Sequence, residues 1–245
     1  MRTAFMAGAL LALASVTLPA IAAPDEYVRT PIVIEGEREI DTKFGIAKAR
    51  DGSSASALSV GFGYGATAWW FTEFYGKWQR PAGERSGFDA WEWENRFQLT
   101  ETGRYPVDVG VVLEIERPKN RDEGYELRWG PLLQSEWGAL QGNLNLLFER
   151  HVRAVARSET EFGYQWQLKW RSNPLLYGGL QGFGELGKWD HWEPKSEQSH
   201  QIGPALWGKV KTGSRQAIEY NAALLFGTGG AAPRRAFRLQ AEFEF

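Results

Sequence analysis

Apolar and polar residues alternate along most of this chain. Phe162, Tyr164, Trp166, Leu168 and Trp170 are separated by Gly163, Gln165, Gln167 and Lys169. Val107, Val109, Val111, Leu113 and Ile115 interleave with Asp108, Gly110, Val112 and Glu114. Trp91, Trp93, Phe97 and Leu99 interleave with Glu92, Glu94, Arg96 and Gln98, and Phe237 to Phe245 with Arg238 to Glu244. Residues two apart share a face of an extended strand, so each run predicts a strand with one apolar and one polar face. Twelve strands fit between the turn signals, near 38–50, 55–65, 69–80, 88–100, 106–117, 124–136, 140–153, 159–171, 176–188, 198–211, 216–227 and 235–245. Gly178, Gly179, Gly182, Gly184 and Gly187 blur the phase of the ninth strand and predict a bend or bulge there.

The connections alternate in length. One side carries short turns at 65–68, 138–139, 173–174 and 212–215, with a modest one at 102–106. The other carries longer polar loops at 81–87, 118–123, 154–158, 189–197 and 227–234, with only 51–54 short. An even number of alternating strands wired this way is the signature of an all-β, antiparallel, up-and-down transmembrane β-barrel. A soluble sandwich or lipocalin-like barrel would also alternate, but it would turn the Trp and Leu face inward.

Residues 1–22, MRTAFMAGALLALASVTLPAIA, have a basic start at Arg2, an apolar run from Phe5 to Leu18 and an Ala20-Ile21-Ala22 site. That is the pattern of a signal peptide, and it predicts export. The expected layout is therefore 1–22 signal peptide, 23–37 an extended periplasmic lead-in, and 38–245 the barrel. The last strand alternates to its end, and Phe243 with terminal Phe245 resembles the C-terminal assembly signal of outer-membrane proteins. The expected location is the outer membrane of a Gram-negative cell. The expected partners are outer-membrane lipid and lipopolysaccharide, the assembly machinery and small solutes.

Composition narrows this further. The 28 basic and 30 acidic side chains leave a net charge of −2, so no nucleic-acid partner is expected. With no cysteine there are no disulfides or thiolate sites, and 12 Trp among 245 residues suit the interfacial girdles of a membrane barrel.

The stretches GEREID (36–41), WEWENRFQLT (91–100), GPLLQSEWG (130–138), NLNLLFERH (143–151), QGFGELGKWDHW (181–192) and SEQSHQIGPA (196–205) resemble an uncharacterised family of proteobacterial outer-membrane β-barrel proteins. The resemblance implies the barrel and brings no activity with it.

The apolar face, including Trp91, Trp93, Val109, Leu127, Leu144, Tyr164, Trp166, Leu224 and Phe243, is expected to meet lipid. Asn95 and Ser135 fall on that face by strict alternation, as exceptions, and Arg150 does so near a strand end. The polar face supplies the candidate lumen lining: Glu92, Glu94, Arg96, Glu114, Arg128, Glu149, His151, Lys169, Arg171, Glu219, Arg238 and Glu242. Twelve strands lie between a barrel filled by side chains and one holding an aqueous channel. The expected function is a narrow pore for small hydrophilic solutes with an acid-rich lumen. The alternatives are a closed barrel with a structural or surface-interaction role and, more remotely, a barrel enzyme acting on lipid or lipopolysaccharide. No catalytic constellation, cofactor or metal site is expected, because His151, His191 and His200 are far apart and adjacent Ser199 and His200 point to opposite faces of one strand.

Overall fold

A computed structural model describes residues 24–173, 175–214 and 216–245. The expected signal peptide lies outside the described residues. The strands are β1 (Arg38–Lys48), β2 (Ser54–Thr67), β3 (Trp70–Arg80), β4 (Gly87–Gln98), β5 (Asp108–Pro118), β6 (Tyr125–Trp137), β7 (Leu140–Val152), β8 (Glu161–Trp170), β9 (Tyr177–Lys188), β10 (Ser199–Lys211), β11 (Ala217–Gly227) and β12 (Arg235–Glu244). Each is antiparallel to its sequence neighbours, and β1 pairs with β12 through Asp41↔Glu242 and Phe44↔Leu239. The fold is a closed barrel of twelve strands, which leaves no open sheet edge. The final residue helps to seal it, with Phe245 N–H donating to the carbonyl of Arg38 at 2.9 Å.

The strand ends follow the alternation closely. The irregularity expected in β9 is a bulge against β8: Phe162 pairs with Gly187 and Gly163 with Glu185, so Leu186 has no opposite residue. Gly187 has φ +79°, a conformation costly to any side chain with a Cβ, which explains a glycine at that position. One connection differs from expectation. The β4–β5 link spans 99–107 and is the longest on the turn side, because Leu99 and Thr100 leave β4 and both hydrogen-bond to Val109.

The two faces separate as the pattern requires. Ile40, Val60, Phe74, Trp93, Leu144, Leu224 and Leu239 are exposed on the outside, while Asp41, Glu73, Glu94, Glu114, Asn145 and Gln181 are buried inside. Aromatic side chains gather at the two ends of the outer face. Trp69 stacks on Phe97 at the turn end (6.1 Å), and Phe88 packs on Trp91 toward the loop end (4.8 Å). The two polar exceptions on the outer face are satisfied locally. Asn95 accepts a bond from Trp70 Nε1 at 3.0 Å, and Ser135 donates to the Pro106 carbonyl at 2.6 Å.

The segment before β1 holds the main surprise. Residues 24–34, expected as an extended lead-in, run inside the barrel. They join β1 at the turn end, where Gly36 N–H donates to Gly65 O (2.8 Å) and Gly65 N–H donates to Glu37 O (2.9 Å). A side chain at Gly45 would collide with the carbonyl of Pro24, and one at Gly65 with the carbonyl of Ile34. These two inward-facing glycines let the barrel wall approach the segment's backbone closely.

Candidate functional site

The lumen has two unlike walls, and the inner segment matches each. On one side, Phe183, Ala205, Trp207, Ala223, Leu225, Ala236 and Ala47 form an apolar cluster against which Val28 packs. On the other side, β4 to β8 present carboxylates and amides. The segment alternates like a strand, so Val28 faces the apolar wall while its neighbours Tyr27 and Arg29 face the charged one.

Arg29 is 2% exposed. Its Nε lies 2.9 Å from Glu94 Oε2, and its Nη2 is paired with Glu114. Tyr27 OH donates to the same Glu94 oxygen at 2.7 Å. Glu26 takes the opposite role, accepting from Arg128 Nη1 (2.6 Å) and from Gln165 Nε2 (2.6 Å). The wholly buried Asn145, with its amide suitably oriented, accepts from the Arg29 N–H (2.8 Å) and donates to the Arg29 carbonyl (3.2 Å). Thr30 Oγ1 donates to Gln134 (3.0 Å), and Val33 N–H donates to Gln98 (2.7 Å). Side chains of the wall thus stand in for the neighbouring strands that an extended segment needs to satisfy its polar groups.

Below Arg29 the wall carries an amide ladder. Gln141 and Asn143 both donate to Gln134, Gln167 donates to Asn143, and Gln181 donates to both Gln167 and Asn221. Its members are buried.

The candidate lining residues divide by position. Glu92, Glu94, Glu114 and Arg238 are buried inside, and Arg96 lies inside beside Glu94 (3.3 Å). Arg128 sits at a crossing of four carboxylates, with Glu149 (2.8 Å) and Glu26 (2.6 Å) nearest. Lys169, Glu219 and Glu242 line a cavity of about 200 Å³ at the turn end. Glu149 and His151 line another, of about 440 Å³, at the loop end. Residues 24–34 lie between the two. Arg171 lies beyond the end of β8, at the rim rather than inside, where its exposed side chain pairs with Glu136 (2.7 Å). Arg238 stacks over the Phe183 ring at 3.7 Å, and its guanidinium has no hydrogen-bond partner among the described residues. Phe243 and Phe245 stack at 5.6 Å, and Phe62 approaches Phe245 at 6.4 Å.

Strand register creates groupings that linear spacing hides. Glu126 stands opposite His151, and Arg128 opposite Glu149. Ligand atoms of Glu126, Glu149 and His151 consequently lie within 4.8 Å of one another, close enough to hold a cation at the loop end, although Arg128 already pairs with both glutamates. Glu92, Glu94 and Glu114 also converge, and Lys77 and Arg29 supply their positive charge. Ser199 is buried on the inner face. His200 faces outward and bonds to Tyr164 OH (2.9 Å) and Gln198 (2.9 Å).

A closed antiparallel barrel with an apolar outer face and a polar inner one defines an outer-membrane-type β-barrel fold. Among solved structures it is similar to the translocator domain of the autotransporter NalP from Neisseria meningitidis, with TM-score 0.54 and 10% identity, over 86% of this chain and 88% of that one. No protein-family model and no curated protein matches the chain.

Proposed function

We propose that the protein resides in the outer membrane and is a narrow, gated pore for small hydrophilic solutes. In this reading residues 24–34 close the pore in the conformation described here. The observation that carries the reading is the fit of one extended segment to the lumen: a barrel that holds a single strand across its width has, without it, a passage about that wide. Carboxylates outnumber cations along the strands' inner faces, so the open passage would favour cations. A second reading, a permanently closed barrel with a structural or surface role, draws support from the buried Arg29–Glu94–Glu114 contacts. On either reading the barrel is not an enzyme. Planar-bilayer recordings of the full chain, with a chain lacking 24–34 as the open reference, separate the two. The gated reading expects brief, weakly cation-selective openings of the full chain and steady conductance without the segment, and a full chain that stays silent would favour the closed one.

Localisation and assembly have their own test. Phe245 contributes the last outward aromatic and a backbone bond to Arg38. Deleting it, or replacing it with Asp, is expected to reduce the yield of folded barrel in outer-membrane fractions, read by the change in gel migration on boiling. Full yields of both variants would show that the terminal aromatic has no part in assembly.

A further inference from the structure

The turn-end cavity holds more carboxylates than cations, and one of the carboxylates has no partner among the described residues. Glu73, on β3, is 2% exposed and makes no ion pair, and its Oε1 has no hydrogen-bond partner among the described residues. Asp41, on β1, is 1% exposed, and its Oδ1 is likewise without a partner. Glu242, on β12, stands directly opposite Asp41 and lines the same cavity. Two glycines bring these groups together. Gly61 and Gly63 occupy the inward positions of β2 between β1 and β3, and a side chain at either would strike the ring of Tyr75 or Phe71. With no β2 side chain in the way, Tyr75 OH reaches Asp41 Oδ2 at 2.8 Å, and carboxylates of β1, β3 and β12 face one space.

None of the neighbouring cations pairs with Glu73 among the described residues; Lys169, which lines the cavity, makes no ion pair and lies over the Trp207 ring at 5.4 Å. Arg29 serves Glu94 and Glu114, and Lys209 serves Glu219 (2.6 Å) and Glu244 (2.7 Å). Arg96 lies 3.3 Å from Glu94 and 3.9 Å from Glu39. Lys43 pairs with Asp41 Oδ2 at 3.4 Å, leaving Oδ1 without a hydrogen bond, and is held over the Tyr27 ring at 3.5 Å and the Tyr75 ring at 3.6 Å. A buried carboxylate without a partner is costly, and a cation arriving in the cavity would relieve that cost.

We propose that the turn-end cavity binds a small organic cation carrying two or more primary ammonium groups, an aliphatic diamine or polyamine, through Glu73, Asp41 and Glu242. Geometry favours this class over a metal ion. A metal needs several ligand atoms converging on one point, and the groups that converge so closely among the described residues are those around Glu114 and Glu126, without Glu73, Asp41 or Glu242. Carboxylates spread along a cavity suit charges spaced along a flexible chain. Tyr27, Tyr75 and Trp207 line the same cavity, with aromatic faces for the methylenes and ammonium groups between. The site requires access from the turn end and no conduction, so it stands apart from the pore reading.

The test is calorimetric titration of the full chain, folded in detergent at low salt, with 1,4-diaminobutane, butylamine and Mg²⁺ as separate titrants. The diamine is expected to bind about tenfold or more tightly than butylamine, and to weaken as NaCl is added. Glu73→Gln combined with Glu242→Gln should weaken it by a further factor of about ten, while Glu161→Gln at the opposite end should leave it unchanged. Folding of each variant is checked by gel migration before and after boiling. The comparison of diamine with butylamine in the unaltered chain decides the matter if the double variant does not fold. No diamine binding, equal affinity for butylamine, an unchanged affinity in the folded double variant, or binding of Mg²⁺ alone would each overturn the proposal.

Discussion

Replacing Arg29 with Ala is expected to destabilise the folded barrel by about 3–5 kcal/mol and to raise the fraction of time it conducts. The size follows from what is left behind. Glu94 and Glu114 are 1% and 3% exposed, and Arg29 is their shared partner from the inner segment. Without it, two carboxylates face each other across neighbouring strands, since Glu94 and Glu114 are direct register partners. What remains is partial: Arg96 lies 3.3 Å from Glu94, and Arg128, shared among four carboxylates, lies 3.5 Å from Glu114. Urea unfolding in lipid vesicles measures the loss. A triple variant, Arg29→Ala with Glu94→Gln and Glu114→Gln, should recover most of the stability, because the uncompensated charge causes the damage more than the missing contact does. It should nevertheless conduct like the single variant, since the segment has still lost its anchor. An Arg29→Ala barrel as stable as the unaltered one would mean that the ion pairs do not hold the segment.

The second large effect concerns the outer face. Trp166 lies in the middle of β8, its indole crossing Gly182 of β9. Arg at this position would place a charge in hydrocarbon near the bilayer midplane, at about 2–4 kcal/mol, and folding yield in bilayers should fall accordingly. The neighbouring position behaves differently from what alternation alone implies. An inward residue of a polar lumen is expected to accept Arg. Gln167, however, is 3% exposed and takes part in the amide ladder with Asn143 and Gln181. Arg there would break two buried hydrogen bonds, and Gln167→Asn is the gentler probe of the inward face. Normal folding of Trp166→Arg in bilayers would place β8 in the opposite phase, because a one-residue slip exchanges the two faces.

These two positions show where the sequence speaks plainly. Residue spacing of two is a local property, so the strands, their phase, the bulge at Gly187 and the polar inside could all be read from neighbours along the chain. Whether a polar interior is filled depends on pairings between residues far apart. Arg29 meets Glu114, and Glu26 meets Arg128, across separations that no short-range pattern encodes. Some traces were present nonetheless. Tyr27, Val28 and Arg29 alternate as strand residues do, and glycine occupies the inward positions 45, 65 and 110, each beside the inner segment. The convergence of Glu126, Glu149 and His151 was hidden for the same reason, since it arises from the β6–β7 register. Parity assigns Arg171 to the lumen, but β8 ends one residue before it, and beyond a strand's end parity no longer fixes direction.

The central claim is that residues 24–34 gate the lumen, and a reversible lock tests it most directly. The chain has no cysteine, so an introduced pair would be its only thiols. A Cβ at Gly110 would lie 2.9 Å from the Cβ of Pro31, slightly inside the roughly 3.5–4.5 Å span of a disulfide, so a small outward shift of the segment completes the bond. The measurement is single-channel current through Pro31→Cys, Gly110→Cys barrels in planar bilayers, before and after reduction. Gating by the segment predicts silent barrels when oxidised and brief, weakly cation-selective openings when reduced, reversed on reoxidation. Equal conductance in both states would show that solutes pass without the segment moving, and silence in both would show that the lumen is closed for good.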